Sequence, residues 1–240
     1  MFVHRSWFQI RNMGHGNEYT HLLDGSIDDW MKSGGPTEED ELDSSSVDVR
    51  IPQTKNLDTT TKSTKYQAKD PQYIVDLDEM KSIVTTENDD NAWIVVDVRS
   101  SERFLGQVEE PRPNMRLGHM PKARNIFFLN LLNSPDNVNQ MKSTEKLQKI
   151  IQDEGGIDLS RLKNDNTKII SSCGSGATAC TLVAALTACG VPMEKCYLYD
   201  GSWSEWGSLP DTPIVNKDGK VTPTNGNDDG GSSNKKARTE

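Results

Sequence analysis

The chain has 240 residues, with 36 acidic against 27 basic side chains and a formal net charge of -9. This acidic balance argues against broad binding to nucleic acid or to an anionic membrane surface. No apolar run approaches the roughly 20 residues that a membrane helix needs. Only 33% of the residues are hydrophobic, a low share that predicts a part of the chain outside any core.

The first 36 residues predict a small amount of ordered structure. Apolar side chains at loosely helical spacing predict a helix over residues 2–13, and residues 19–23 read as a short strand. A second short helix is predicted over residues 27–32, ended by glycines and a proline. Residues 37–70 are acidic and hydroxyl-rich with few apolar anchors, which is typical of a linker.

Residues 71–215 alternate between strand-like and helix-like patterns. This order predicts an α/β domain with a central parallel sheet covered by helices on both faces. Sites in such folds form at the carboxyl ends of the strands. Residues 216–240 are rich in Gly, Asn, Asp and Ser, and we predict a disordered tail. The predicted helices are 74–84, 100–106, 139–153, a helix ending at 190, and one bearing Trp203 and Trp206; the predicted strands are 93–98, 124–128, 168–172 and 196–199.

The most informative stretch joins a strand, a glycine-rich loop and a helix start. Residues 169–172 suit a buried strand, Cys173 follows, and Gly174 and Gly176 come next. Glycines let backbone N–H groups point inward, and the following helix N-terminus adds partial positive charge. This arrangement favours a nucleophilic thiolate at Cys173 and a cradle for an anion. The alternative is a small buried cysteine beside a glycine turn.

The chain has four cysteines, at positions 173, 180, 189 and 196. Because none forms a Cys-x-x-Cys pair, we expect no zinc site, and their small number makes a disulfide framework unlikely for a chain of this size. We therefore expect a reducing compartment. Cys180, Cys189 and Cys196 are expected to be buried and inert.

An internal repeat bears on the domain organisation. Residues 24–30 and 200–206 share an Asp-Gly-Ser turn, then three intervening residues, then Trp, and a glycine precedes each turn at the same distance. An internal repeat of this kind changes the fold and the domain organisation that a sequence predicts. The counterpart of Cys173 in the first copy would lie before Met1. We therefore expect residues 1–36 to be the C-terminal remnant of a first domain, 37–70 a linker and 71–215 a complete second domain; chance similarity of a short motif is the alternative.

Residues 173–179, Cys-Gly-Ser-Gly-Ala-Thr-Ala, resemble the active-site loop Cys-Gly-Ser-Gly-Val-Thr-Ala of the 3-mercaptopyruvate sulfurtransferases, which are tandem rhodanese-domain proteins. Further motifs follow the order and spacing of that family's catalytic domain. The resemblance implies a rhodanese fold for both copies and no cofactor or metal. It also implies a mitochondrial or cytoplasmic location, although no targeting segment is visible. These further motifs are residues 96–99, 103–106, 109–113, 118–121, 125–126 and 199–207.

The resemblance implies that Cys173 takes a sulfur atom from 3-mercaptopyruvate or thiosulfate and passes it to a thiol, cyanide or a thioredoxin-like acceptor. Ser175 would transfer a proton near the sulfur, or would be only a small loop residue. Arg103 and Arg112 look like the two substrate arginines, whose guanidinium forks suit a carboxylate. The alternative role for Arg112 is a surface ion pair with one of the nearby glutamates, Glu109 or Glu110. A similar alternative applies to Arg103. The remaining substrate-binding residues implied are the loop positions Gly174, Gly176, Ala177 and Thr178.

Other polar residues are expected to be structural. His119 belongs to a Gly-His-x-Pro turn, and Asp97 and Asp200 are expected to order turns. The chain departs from the family pattern at Ala177, where valine is usual. The Asp and His that the family draws from its first domain would precede Met1, which puts activity in question.

Two other functions compete with sulfur transfer. A Cys-x5-Arg phosphatase needs an arginine six residues after its cysteine, and that position is Ala179, so we reject it. A non-catalytic rhodanese module that binds a partner stays open. Within sulfur transfer, the uncharged Gly174 and Ser175 favour mercaptopyruvate, because thiosulfate-type loops resemble Cys-Arg-Lys-Gly with its extra positive charge.

Overall fold

The computed structural model describes residues 3–16, 18, 20–37, 69–86, 92–134 and 137–222. Most of the segment predicted as a linker, and the tail from residue 223 onward, lie outside the described residues. The division of the chain into domains therefore stays a prediction.

A five-stranded parallel sheet forms the centre of the described structure. The strands of the described structure are β1 (Ile74–Val75), β2 (Trp93–Asp97), β3 (Arg124–Asn125), β4 (Leu132–Asn133), β5 (Asn137–Met141), β6 (Lys168–Ser172), β7 (Cys196–Tyr199), β8 (Ile214–Val215) and β9 (Val221–Thr222). The strand order of the central sheet is β1-β7-β6-β2-β3, which places β6, the strand before the cysteine loop, in the middle. Two antiparallel hairpins lie outside it, β4-β5 and β8-β9.

Eight α-helices and two short 3₁₀ helices accompany these strands in the described part of the chain. The helices are α1 (Val3–Asn12), α2 (Ile27–Lys32), α3 (Leu77–Thr85), α4 (Ser101–Phe104), α5 (Thr144–Asp153), α6 (Leu159–Asn164), α7 (Ala179–Ala188) and α8 (Ser202–Trp206); the 3₁₀ helices are Phe128–Leu131 and Met193–Lys195.

Alternate residues of the central strands bury against opposite faces of the sheet. Val96 and Ile169 belong to an apolar cluster with side chains of α1, α5, α6 and α7. Val95 and Ile170 belong to a second cluster with side chains of α3 and α8. This two-sided burial is what a parallel sheet requires. It confirms the predicted α/β fold with helices on both faces.

Helix α1 packs into the larger cluster rather than standing apart from it. Trp7 and Phe8 are buried there beside α7, and the His4 ring lies 3.4 Å from the Thr181 hydroxyl. Asn12 accepts hydrogen bonds from the N–H groups of residues 72 and 73. The first helix is therefore part of the same packed body as the sheet.

Some predicted boundaries were wrong because short strands lie beside helices. Residues 74–75 form β1 instead of the first turn of a helix, since they pair with β7 and Asp76 caps α3. Residues 139–141 pair with β4, so α5 begins only at Thr144. The strand predicted over 124–128 ends at Asn125, where a 3₁₀ helix soon follows.

Both ends of the described chain also differ from expectation. Residues 20–23 are not in a strand; a strand needs a neighbouring strand for its N–H and C=O groups, and β7, its counterpart in the repeat, has two such neighbours. At the other end, residues 216–222 continue the chain as a hairpin between β8 and β9. The boundary predicted at residue 215 falls inside this hairpin.

Candidate active site

The cysteine loop lies where the sequence predicts it, at the carboxyl end of a central strand. Cys173 directly follows β6, and α7 begins at Ala179. The Cys173 sulfur accepts a hydrogen bond from the Ser175 N–H at 3.4 Å. Cys173 is 2% exposed and also joins the larger apolar cluster. The sulfur therefore lies between a loop amide and hydrocarbon, beneath Ser175, which is exposed.

Helix α8 fixes the backbone of this loop. The Ser202 hydroxyl accepts the Cys173 N–H at 3.1 Å and donates to the carbonyl of Tyr199 at 2.9 Å. The N–H groups of Trp203 and Ser204 donate to the carbonyls of Cys173 and Gly174. The sequence prediction missed Ser202. Its place in an Asp-Gly-Ser turn directly after β7, the strand beside β6, is the signal that could have found it.

Two loop glycines are needed for space. Gly176 has φ +77°, and a side chain there would meet the Asp200 carboxylate at 2.5 Å and the Asp200 carbonyl at 2.7 Å. A side chain at Gly174 would lie 3.1 Å from an Arg103 nitrogen and 3.9 Å from an Arg112 nitrogen. Both predicted substrate arginines therefore converge on Gly174, next to Cys173.

The two arginines differ in their partners. Arg103 donates from Nε and Nη2 to the Glu110 carboxylate at 3.2 and 2.5 Å. Arg112 donates to the Gly174 carbonyl at 3.4 Å. Of the ion pairs with Glu109 or Glu110 expected as alternatives for both arginines, the one at Arg103 forms, whereas Arg112 keeps most of its fork for other acceptors.

Arg99 is a buried guanidinium that the sequence prediction missed. Its side chain is 0% exposed and pairs with Asp97 and with Glu110, at 2.6 and 2.8 Å. It also donates to the Gly118 carbonyl and lies 4.2 Å from the centre of the Trp203 ring. A buried arginine needs such partners. Asp97 orders this turn as predicted, because it also accepts the Arg99 backbone N–H.

Helix α1 contributes a charged residue to the loop. Arg5 pairs with Asp200 at 2.6 Å and places its positive charge near the Cys180 side chain. Burial raises the pKa of the Cys180 thiol to about 12, and the Arg5 charge only partly opposes this rise. Cys180 is therefore a protonated thiol at neutral pH, and it donates to the Gly176 carbonyl.

The remaining predictions of structural roles agree with the geometry. Cys189 and Cys196 are buried, as is Cys180, and burial raises the pKa of both thiols, for Cys196 to about 12. The His119 ring stacks on Phe104 at 3.7 Å and its Nδ1 lies 2.8 Å from the Phe104 carbonyl. Burial lowers the pKa of His119, so it is a neutral, packed histidine.

The described residues hold no group of three or more His, Cys, Asp or Glu side chains placed to bind a metal ion. No helix among them has the length and apolar character to cross a membrane. A cleft of about 870 Å³ lies between α1, the β4-β5 hairpin, α5 and α7, and none of the predicted site residues lines it.

Comparison with known proteins places this fold and loop in a class. Residues 76–209 match the family described as Rhodanese-like domain. A thiosulfate/3-mercaptopyruvate sulfurtransferase 1, mitochondrial, of Arabidopsis thaliana is 33% identical over 221 residues, which cover 88% of this chain and 52% of that protein. A 3-mercaptopyruvate sulfurtransferase of Escherichia coli K12 is 30% identical over 210 residues, covering 88% of this chain and 62% of that protein.

Solved structures agree with this assignment. A 3-mercaptopyruvate sulfurtransferase from Leishmania major matches with a TM-score of 0.58 and 25% identity, covering 85% of this chain and 47% of that chain. The Tum1 protein of Saccharomyces cerevisiae matches with a TM-score of 0.52 and 28% identity, covering 63% and 50%.

The fold and the loop therefore define an α/β domain of the rhodanese class, with Cys173 as the cysteine of the loop. The chain belongs to the rhodanese family, and the curated relatives named above are 3-mercaptopyruvate and thiosulfate sulfurtransferases. It spans about half the length of those relatives, between 52% and 62%.

Proposed function

We propose that the protein is a sulfurtransferase that carries a sulfur atom on Cys173. The observation that carries this proposal is the convergence at Gly174: the cysteine sulfur accepts a loop N–H, and Arg103 and Arg112 both come within 4 Å of the position that a Gly174 side chain would occupy. A nucleophile and two guanidinium groups thus lie together, and the Arg112 guanidinium keeps most of its donors for a substrate carboxylate. The curated relatives support the same chemistry.

In the first half-reaction, the Cys173 thiolate attacks the sulfur atom of 3-mercaptopyruvate. A sulfur–sulfur bond forms and the donor's carbon–sulfur bond breaks. Its electron pair leaves with the carbon as the enolate of pyruvate, which then takes up a proton. Ser175 is the candidate for relaying that proton, since its backbone N–H contacts the Cys173 sulfur and its residue is exposed.

In the second half-reaction, an acceptor thiolate or cyanide attacks the outer sulfur of the persulfide. The sulfur–sulfur bond breaks and Cys173 returns as a thiolate, so no external oxidant is needed. The Ser175 N–H and the N-terminus of α7 stabilise negative charge both on the Cys173 thiolate and on its persulfide. Gly174, Gly176, Ala177 and Thr178 supply the backbone of this cradle, which requires no metal or cofactor.

The donor assignment follows from the loop. A carboxylate of a keto acid suits the free fork of Arg112. The loop positions after Cys173 carry no charged side chain, so 3-mercaptopyruvate is preferred to thiosulfate. The physiological acceptor is proposed only by class, as a small thiol or a thioredoxin-like protein, and the location as mitochondrial or cytoplasmic.

Steady-state kinetics test this proposal. The full chain is assayed with 3-mercaptopyruvate and a thiol acceptor, and pyruvate release is measured. We expect turnover that disappears in Cys173→Ser and persists in Cys189→Ser, a matched control at a buried cysteine away from the loop. Absence of turnover in the wild-type chain under reducing conditions would favour the alternative, a non-catalytic rhodanese module that binds a partner.

A further inference from the structure

Glu110 lies at the centre of the charged groups beside the cysteine loop. Its carboxylate accepts from Arg99 at 2.8 Å and from Arg103 at 2.5 Å, and its side chain is 5% exposed. A carboxylate held by two guanidiniums in a nearly buried place keeps its position. Glu110 is therefore a fixed negative charge behind Arg103.

The charges around this point do not cancel. Arg99 and Asp97 form a buried pair, which leaves Glu110 to balance Arg103. Arg112, which donates only weakly to the Gly174 carbonyl, is then in excess. The guanidinium and carboxylate side chains together carry a surplus of one positive charge, with the Cys173 nucleophile left out of the count. The group consists of three guanidiniums and two carboxylates: Arg99, Arg103, Arg112, Asp97 and Glu110.

A surplus of one charge matches a donor with one negative charge. A keto acid bearing one carboxylate is neutralised, whereas a dianion such as thiosulfate brings a second charge close to Glu110. Like charges a few ångströms apart, in a site partly shielded from water, repel by enough to change affinity about tenfold or more.

We propose that Glu110 is a specificity-determining residue, whose carboxylate behind Arg103 limits the site to one positive charge and so selects monoanionic sulfur donors over dianionic ones. The inference rests on the proposed function. It adds a residue that acts on the choice of donor through Arg103, without touching the reacting sulfur.

The test compares Glu110→Gln with Glu109→Gln. Both changes remove one carboxylate while keeping side-chain size, but Glu109 is exposed. For each protein, kcat/KM is measured with 3-mercaptopyruvate and with thiosulfate, using cyanide as acceptor. We expect Glu110→Gln to shift the ratio toward thiosulfate by about tenfold. We expect Glu109→Gln to leave it within about twofold, because solvent screens its charge.

A second measurement does not depend on turnover. Protection of Cys173 from iodoacetamide is measured with pyruvate, a monoanion, and with sulfate, a dianion. In the wild-type chain we expect pyruvate to protect at the lower concentration, and in Glu110→Gln we expect the preference to move toward sulfate. This readout separates the proposal from a failure of the sulfurtransferase assignment, which would show as absent turnover with normal protection.

Two results would overturn the proposal. One is better protection of the wild-type chain by sulfate than by pyruvate. This measurement needs no variant, so it tests the proposal even if Glu110→Gln does not fold. The other is a Glu110→Gln protein that melts normally but loses efficiency equally with both donors. Glu110→Asp, which keeps the charge, should keep the wild-type ratio.

Discussion

The two copies of the repeat share the Asp-Gly-Ser turn and the tryptophan after it, but their surroundings differ. The second copy follows β7, which lies between β1 and β6 in the sheet. The first copy follows residues 20–23, which are not in a strand. Ser202 has φ +52° and holds the Cys173 N–H, whereas Ser26 has φ -102° and caps α2 in a capping box with Asp29.

The tryptophans extend this contrast. Each indole N–H donates to a proline carbonyl, from Trp206 to Pro213 at 2.9 Å and from Trp30 to Pro36 at 3.0 Å. Trp206 is 0% exposed, but Trp30 is 37% exposed. The shared motif therefore specifies a turn, a short helix and one hydrogen bond. The strand before the turn, the burial of the tryptophan and the role of the serine in the site depend on the neighbouring strands and helices.

The largest expected difference between the copies concerns these tryptophans. Trp206→Ala should lower the free energy of unfolding by about 3 to 5 kcal/mol, because it removes a fully buried ring. Trp30→Ala should cost about 1 kcal/mol or less, as is usual for surface positions. Urea denaturation of both variants checks this, and equal losses would show that the first copy is packed as firmly as the second.

The serines should differ next. Ser202→Ala leaves the buried Cys173 N–H without its acceptor, which should cost about 1 to 3 kcal/mol and slow alkylation or turnover at Cys173. Ser26→Ala removes a half-buried helix cap and should cost about 1 kcal/mol. Only the first change should alter the kinetics. If Ser26→Ala slows turnover to the same degree, the account of the loop anchor is wrong.

The aspartates that open the two turns give a smaller effect. Asp200→Asn breaks the ion pair with Arg5, and since Asp200 is 47% exposed, the loss should be about 1 kcal/mol or less. It should nevertheless change turnover, because Asp200 lies against Gly176. Asp24→Asn, which weakens an acceptor for the Met141 N–H, is the matched control and should leave turnover unchanged.

The smallest effect concerns pH. Hydrogen bonds from the backbone N–H and hydroxyl of Ser26 lower the pKa of Asp29 from 3.8 to about 2. Because the pKa of Asp29 is lower in the folded than in the unfolded state, the ionised carboxylate stabilises the cap at pH values above the unfolded-state pKa. This contribution is lost as the pH falls from about 4 to about 2. We expect α2 to lose its amide protection in this range in the wild type, and the loss to be absent in Asp29→Asn, which lacks the titrating group. A pH-independent α2 would count against the capping box.

The sequence predicted the elements whose signals are local. The bounds of α2, β6 and β7 agree with the structure, since each has a clear apolar run or a cap. The strand Ile74–Val75 was missed because two apolar residues cannot be assigned to strand or helix by periodicity. Its identity depends on pairing with β7, more than a hundred residues away.

The candidate site shows the same limit. The loop around Cys173 could be predicted because its residues are consecutive. Ser202 and Glu110 were not assigned to it, since their partners Cys173 and Arg99 come together only after the sheet and α8 have formed. Residue type and spacing alone do not report such contacts.

The most direct test of the central claim is the intact mass of the chain after incubation with 3-mercaptopyruvate, with the modified peptide then identified. The account predicts one added sulfur atom, located on Cys173 by fragmentation of the peptide that also contains Cys180, removed by a thiol or cyanide and absent in Cys173→Ser. No added sulfur on a folded, reduced chain, or a sulfur atom carried instead by Cys180, would contradict it.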